Sequence, residues 1–217
     1  SICPYHRVHR PYEQLSAFFN VIMLLGINAF SLKGADAKQV GLFGQALFIS
    51  REQYDTVGGH EPVKAEVLEN FHLSRFLSKA GYTCRCYLGR GTVWMRMFPK
   101  SFSDLVAGWS KGFVSGADNT PKSALIGISI WLSGLIMIVI SLTFLPLASP
   151  AASSAIGILY FLGVIQSFYL FKNAGNFWTL GAILFPVGLF FYQGLFFRAL
   201  RRRKEGGTVQ WKGRDVT

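Results

Sequence analysis

SALIGISIWLSGLIMIVISLTFLPLASPAASSAIGILYFLGVIQSFYLF, residues 123–171, contains no Asp, Glu, Lys, Arg or His. A helix needs about 20 apolar residues to cross a bilayer core, so this run is long enough for two crossings. After Lys172 a second uncharged run, residues 173–197, is long enough for one more. The core helix of a soluble protein explains one such run poorly and two in succession worse. The expectation is a transmembrane helical region over residues 123–200. A basic cytoplasmic tail over 201–217 follows, opening with Arg201, Arg202, Arg203 and Lys204.

Upstream, residues 1–122 read as a different kind of chain. Charges are spread through them, and helix and strand signals alternate, which predicts an α/β fold. The stretch 14–32 is uncharged, but it is short and holds Asn20, Gly26 and Asn28. A buried or membrane-surface helix competes there with a span. GLFGQALFI at 41–49 predicts a buried strand. Ser50 with Gln53 three residues on is a capping pattern that opens a short helix ending at Gly58. A longer helix is expected over 63–80, stopped by Gly81. Segments 82–88 and 92–98 alternate around Gly89-Arg90-Gly91 and predict a strand pair. Ser101 starts a further helix whose stripe of Phe102, Leu105, Val106, Trp109 and Phe113 faces either a core or the membrane interface.

The net charge of +11 does not point to nucleic acid. Its densest cluster flanks an apolar span, where it reads as a cytoplasmic border facing anionic lipid. Cys3, Cys84 and Cys86 make an odd set without a CxxC and read as free thiols. Cys3, His6 and His9 form a C-x-x-H-x-x-H string, but Pro4 and Pro11 disfavour a regular helix and no fourth ligand is near, so no metal is assigned.

The chemistry-bearing stretch is GGHEPVKAEVLENFHLSRFL, residues 58–77. Gly58 and Gly59 let the backbone approach a ligand closely, and His60 and Glu61 follow at once. Glu66, Glu69 and Asn70 share one face of the expected helix. That pattern suits either a solvated surface or a site with a carboxylate base. His72 reads as a helix-surface residue.

These residues carry a resemblance. GQALFISREQYDTVGGHE, VLENFHLSRFLSKAGY, RMFPKSFSDLVAGWSKGFVSGA and VQWKGR, in this order, resemble the membrane-bound family 2 glycosyltransferases, and within them the carotenoid-acid (4,4'-diaponeurosporenoate) branch. The resemblance implies the acceptor half of a GT-A-like domain over residues 1–122. It also implies an inverting sugar transfer from a nucleotide-sugar to a lipid-soluble acceptor at the cytoplasmic membrane face. It further implies donor or acceptor contacts from Gly58, Gly59, Glu61, Arg96, Trp109, Lys111, Trp211 and Arg214. The chain lacks the family's Asp-x-Asp motif, which holds the donor diphosphate and a divalent metal. Mg or Mn is therefore expected in the full-length enzyme with ligands outside this chain, and the chain alone is expected to be inactive. It opens without Met in structured-looking sequence, as a piece of a longer protein would.

The second departure is at the Glu-Asp pair of the family's acceptor helix, which here reads Glu69-Asn70. Asn cannot take a proton, so Glu69 or His60 replaces the base, or no base is needed. A carboxylic acid acceptor is ionised at neutral pH, because carboxyl groups titrate near pH ~4, and it could attack without deprotonation. Rival readings are a non-enzymatic membrane adaptor that binds lipid, and a small transporter. The second is weaker, because the uncharged runs hold no ionisable residue to mark a pathway. Three full spans would put the RRRK cluster outside. Two crossings plus one re-entrant piece, helped by Gly175, Asn176 and Pro186, keep the tail inside.

Overall fold

The computed structural model of the protein describes residues 1–27, 40–64, 69–204, 209–211 and 214–216, without the side chains of 111–115, 117, 118 and those beyond 202. Pro4 interrupts the first extended segment, splitting it into β1 (Ile2–Cys3) and β2 (Tyr5–His6). Both run parallel to their partners, β1 to β3 (Tyr87–Leu88) and β2 to β4 (Trp94–Met95). Segments 82–88 and 92–98 therefore do not pair with each other as the alternation predicts. Their backbones are engaged by the N-terminus: Gly89 N–H donates to Cys3 O at 2.8 Å, and Tyr5 N–H to Val93 O at 2.8 Å. A Cβ on Gly89 would sit 2.6 Å from Val93 O, so the tight turn between β3 and β4 needs glycine for space.

The strand expected at 41–49 is absent. Leu42 and Phe43 are buried, but Gly44 and Gln45 turn outward and Phe48 is 73% exposed. Leu47 and Ile49 are only partly buried against the core, so the segment does not bury one face as a strand would. Among the described residues the structure is mostly helical, with strands of two or three residues, so the expected α/β half-domain survives only in the two parallel pairings.

Helix α1 (Ala17–Gly26) follows a 3-10 turn over Pro11–Ser16 and is the buried centre of the molecule. Phe18, Phe19, Val21 and Leu24 are all at most 3% exposed. The uncharged stretch from Gln14 is therefore a buried helix through Gly26 rather than a span; residues 28–32 lie outside the described residues. Helix α2 (Arg51–Thr56) starts as predicted, with Ser50 Oγ accepting the Gln53 N–H at 3.2 Å. Glu61–Val63 form a 3-10 turn where the expected helix would open, and the next described helix is α3 (Glu69–Lys79). It stops where Gly81 takes a left-handed φ of 86°. Helix α4 (Phe102–Asn119) is capped by Ser101 Oγ on the Asp104 N–H.

Among the described residues, two helices are long and apolar enough to cross a membrane. One is α5 (Lys122–Ser141), prolonged by a 3-10 segment to Leu147, and the other is α6 (Pro150–Ala174). Only 17% of the apolar window in each is buried inside the protein, unlike the core helix of a soluble domain.

The last apolar run is bent. After α6 the chain docks on the N-terminal segment: Asn176 N–H donates to His6 O, and Asn176 Oδ1 accepts the Val8 N–H at 2.7 Å. Gly175 lies so close to this segment that a Cβ would meet His6 O at 2.7 Å. The short helix α7 (Thr179–Ile183) then runs back along α6, where Tyr160 Oη donates to Ile183 O at 2.7 Å. Tyr160 precedes the end of α6 by fourteen residues, about 21 Å of helix. Pro186 lacks the N–H that would join α7 to the next helix. The chain therefore turns there, and α8 (Phe185–Lys204) climbs back. Phe185 packs on Tyr160, Tyr192 on Phe19, and Phe191 on Phe102 of α4. Helices α7 and α8 thus form a hairpin against α6 and α1. Beyond it, β5 (Val209–Trp211) and β6 (Arg214–Val216) pair antiparallel.

Candidate functional site

Four helices enclose a cavity of about 530 Å³, and each presents one face to it at helical spacing. Phe19, Ile22, Met23 and Gly26 of α1 form its floor. Leu125, Ile128, Ser129, Leu132 and Ser133 of α5 make one wall, and Tyr192, Gln193, Phe196 and Phe197 of α8 the other. Gly108, Trp109 and Gly116 of α4 form part of the boundary as well. Trp109 is held from two sides: its Nε1 donates to Ser16 Oγ at 3.0 Å, and its ring stacks on Phe19 with centroids 4.8 Å apart. Among the described residues, no side chain that ionises near neutral pH lines this cavity.

Asn70, on the first turn of α3, reaches the lining together with Gly44 and Gln45. The fit is close. A Cβ built on Gly44 would stand 2.1 Å from Asn70 Nδ2, so the absence of a side chain at Gly44 is what lets Asn70 occupy its place. Glu69, the first residue of α3, is exposed and lines neither this cavity nor the polar pocket described next. Its charge there is favourable to the helix N-terminus. Glu66 lies outside the described residues.

Gly58, Gly59, His60 and Glu61 line a second, open and polar pocket with Tyr54, Asp55 and Lys64. Both glycines have positive φ, 75° and 61°, and a Cβ on Gly59 would meet the Tyr54 ring at 2.7 Å. Tyr54 Oη accepts the His60 backbone N–H at 3.1 Å and lies 2.6 Å from His60 Nδ1. The contact ties the His60 ring to Tyr54, with the donor and acceptor roles set by the ring's tautomer. Glu61 is paired with Lys64 on the surface.

Arg96 is held by Glu13 through one guanidinium nitrogen. Its Nε donates to Glu13 Oε1 at 2.8 Å, while Glu13 Oε2 accepts the backbone N–H groups of His9 at 2.6 Å and Arg10 at 2.8 Å. Burial raises the Glu13 pKa. The Arg10 N–H, the Arg96 guanidinium and the His9 N–H outweigh it and hold the carboxyl below its ordinary value. Lys111 lies on α4 with its side chain outside the described residues. Trp211 and Arg214 face each other across the β5–β6 pair, their side chains also outside the description.

Cys3 and His6 do not form a ligand set. Burial pushes the Cys3 thiol up to about 12, with the Cys86 charge adding to it, and holds His6 down at about 4. Among the described residues no three His, Cys, Asp or Glu gather as metal ligands, so no metal is assigned to them.

Sequence reading singled out Asn70 and Trp109, which do meet on one cavity, but it missed Gly44, Gln45 and the α5 and α8 walls. A signal was present. Ser129 and Ser133 stand four apart in an otherwise apolar run, on the face that Leu125 and Leu132 share.

Comparison with known proteins gives one consistent result. No family model matches the chain, and no solved structure matches it. Curated proteins of Staphylococcus aureus strains USA300, NCTC 8325 and MRSA252 are each 28% identical to it over all 217 residues. The chain spans 58% of their length. All of this chain is therefore similar to part of proteins named 4,4'-diaponeurosporenoate glycosyltransferase.

Proposed function

We propose that this chain is the acceptor-binding and membrane-anchoring part of a glycosyltransferase that joins a sugar from a nucleotide-sugar to a long-chain carboxylic acid of carotenoid type. The observation that carries the reading is the cavity, uncharged among the described residues, that runs from Asn70 on α3 to the apolar helices α5 and α8. Such a space suits a hydrocarbon chain whose polar end meets the neighbouring amides Asn70 and Gln45, with a third amide, Gln193, on the α8 wall. Similarity over the whole chain to proteins named for a carotenoid acid supports the same class of acceptor.

The chemistry follows from the acceptor. A carboxylate oxygen attacks the anomeric carbon of the donor sugar, on the face opposite the leaving group. The bond from that carbon to the nucleotide diphosphate breaks, the diphosphate departs with the electron pair, and a glycosyl ester remains. No proton has to be removed from an ionised acid, so Asn70 serves where an alcohol acceptor would need a base. Asn70 would donate from Nδ2 to the carboxylate and hold it in line. Donor binding and any divalent metal belong to parts of the full-length enzyme outside this chain, and no step here runs through a metal.

The acceptor identity is tested by giving the full-length enzyme a polyene acid and the alcohol of the same chain. Turnover of the acid and not of the alcohol is expected; the reverse preference would sink the proposal.

The anchor part of the proposal has two crossings, α5 and α6, with residues 1–122 and the tail on the cytoplasmic face. Docking of Asn176 on His6 and Val8, and the return of α8 to α4, support this arrangement. Single cysteines at Asn173 and Arg202 should then react with a membrane-impermeant maleimide from the same face as one at Ser103. Labelling of the Arg202 position from the opposite face would refute it.

A further inference from the structure

The cavity has two mouths. One opens at the exposed Gly44 and Gln45 beside Asn70. At the other, Ser129, Ser133 and Phe197 line the cavity and yet are exposed, Phe197 at 64%. Ser129 and Ser133 lie about 10 and 16 Å along α5 from its first residue. Around them Ile126 and Ile130 present their side chains outward at 60% and 69% exposure. This second mouth therefore opens through the outward apolar surface of the helices, not toward water.

We propose that the gap between α5 and α8, edged by Ser129, Ser133, Gln193 and Phe197, is a lateral door through which the acceptor's hydrocarbon chain slides from the bilayer into the cavity. This rests on the acceptor reading above and adds the route and the residues that select for chain length. The small serines leave the door open where the neighbouring isoleucines would close it. Trp131, on the opposite face of α5, donates from Nε1 to Gln166 Oε1 of α6 at 2.9 Å, bracing α5 on its far side.

The occupant follows from the shape and chemistry of the space. A protein helix about 10 Å across would fill 530 Å³ in under two turns. A hydrocarbon chain fits, with Asn70 and Gln45 at the far end for its polar head and the single amide Gln193 at the door. Entering sideways, the chain never passes through water, which avoids about 0.8 kcal/mol for each CH₂ that aqueous transfer would expose.

Two experiments on the full-length protein in lipid vesicles decide the matter. In the double variant Ser129→Phe, Ser133→Phe, the ratio of turnover for a long polyene acid to that for a short, water-soluble acid should fall at least tenfold. An unchanged ratio, including an equal loss of both, overturns the door. In the single variant Ser133→Cys, a lipid-soluble maleimide should label position 133, and saturating polyene acid should protect it. Labelling that the acid leaves unchanged also overturns the door. Protection without any turnover would keep the door and defeat the transferase reading, whereas turnover without protection would do the opposite.

Discussion

Gly44→Ala should lower kcat/KM for the acceptor at least tenfold while leaving the thermal midpoint of the protein unchanged. Gly44 is exposed and its φ is not left-handed, so alanine fits the backbone without strain. What alanine cannot do is share space with Asn70. The new methyl would stand 2.1 Å from Nδ2, 2.7 Å from Cγ and 2.8 Å from Oδ1, well inside contact distance, so the amide must leave its present position. A displacement of about 1 Å at a reacting group can cost on the order of a hundredfold in rate, which makes tenfold a conservative figure. In an Asn70→Ala background the clash is gone, and Gly44→Ala should then add little further loss. Wild-type kcat/KM in the single variant would separate Asn70 from the acceptor.

Glu13→Ala should be the most destabilising single change outside the apolar core. The carboxylate is 2% exposed and satisfies two backbone N–H groups and the Arg96 guanidinium. Its removal leaves those three donors facing a void, at a cost of about 3 kcal/mol. In detergent the midpoint of thermal unfolding should fall by roughly 5–10 °C. Glu13→Gln, which keeps an acceptor but loses the charge, should fall between the variant and wild type. The pH dependence has a definite sign. The Glu13 pKa is depressed in the folded state, so its stabilisation is present above the ordinary carboxylate range and is lost as pH falls through the folded value. His6 acts in the same direction. It is buried neutral with a pKa near 4, so stability drains away as pH drops from its ordinary value of 6.5 toward 4. Acid is the vulnerable side, and Glu13→Ala should lose the part of that sensitivity that Glu13 contributes.

The helix ends were legible because caps are local: Ser50 and Ser101 accept N–H groups three residues on, and Gly81 stops α3, as their positions predict. The strand expectations failed for a reason that pattern cannot carry. Residues 82–88 and 92–98 look like a hairpin from within, but the N-terminal strand, more than eighty residues earlier, takes their hydrogen bonds. Arg96 gained a partner that pattern could not show, because Glu13, far back in the chain, engages its Nε in the fold.

The sequence alone determined two long apolar helices, a soluble-looking block before them and a basic segment after them, because charge and hydropathy act residue by residue. It also determined that residue 70 is an amide beside the acidic Glu69. Only the tertiary structure decided that the third apolar run dips and returns. That outcome depends on Asn176 finding His6 and Val8, and on Tyr160 meeting Ile183. Likewise, only packing could decide that α1, α4, α5 and α8 enclose one space ending at Asn70. A cavity belongs to no segment; it is the volume left when faces from distant parts of the chain meet without filling the gap between them.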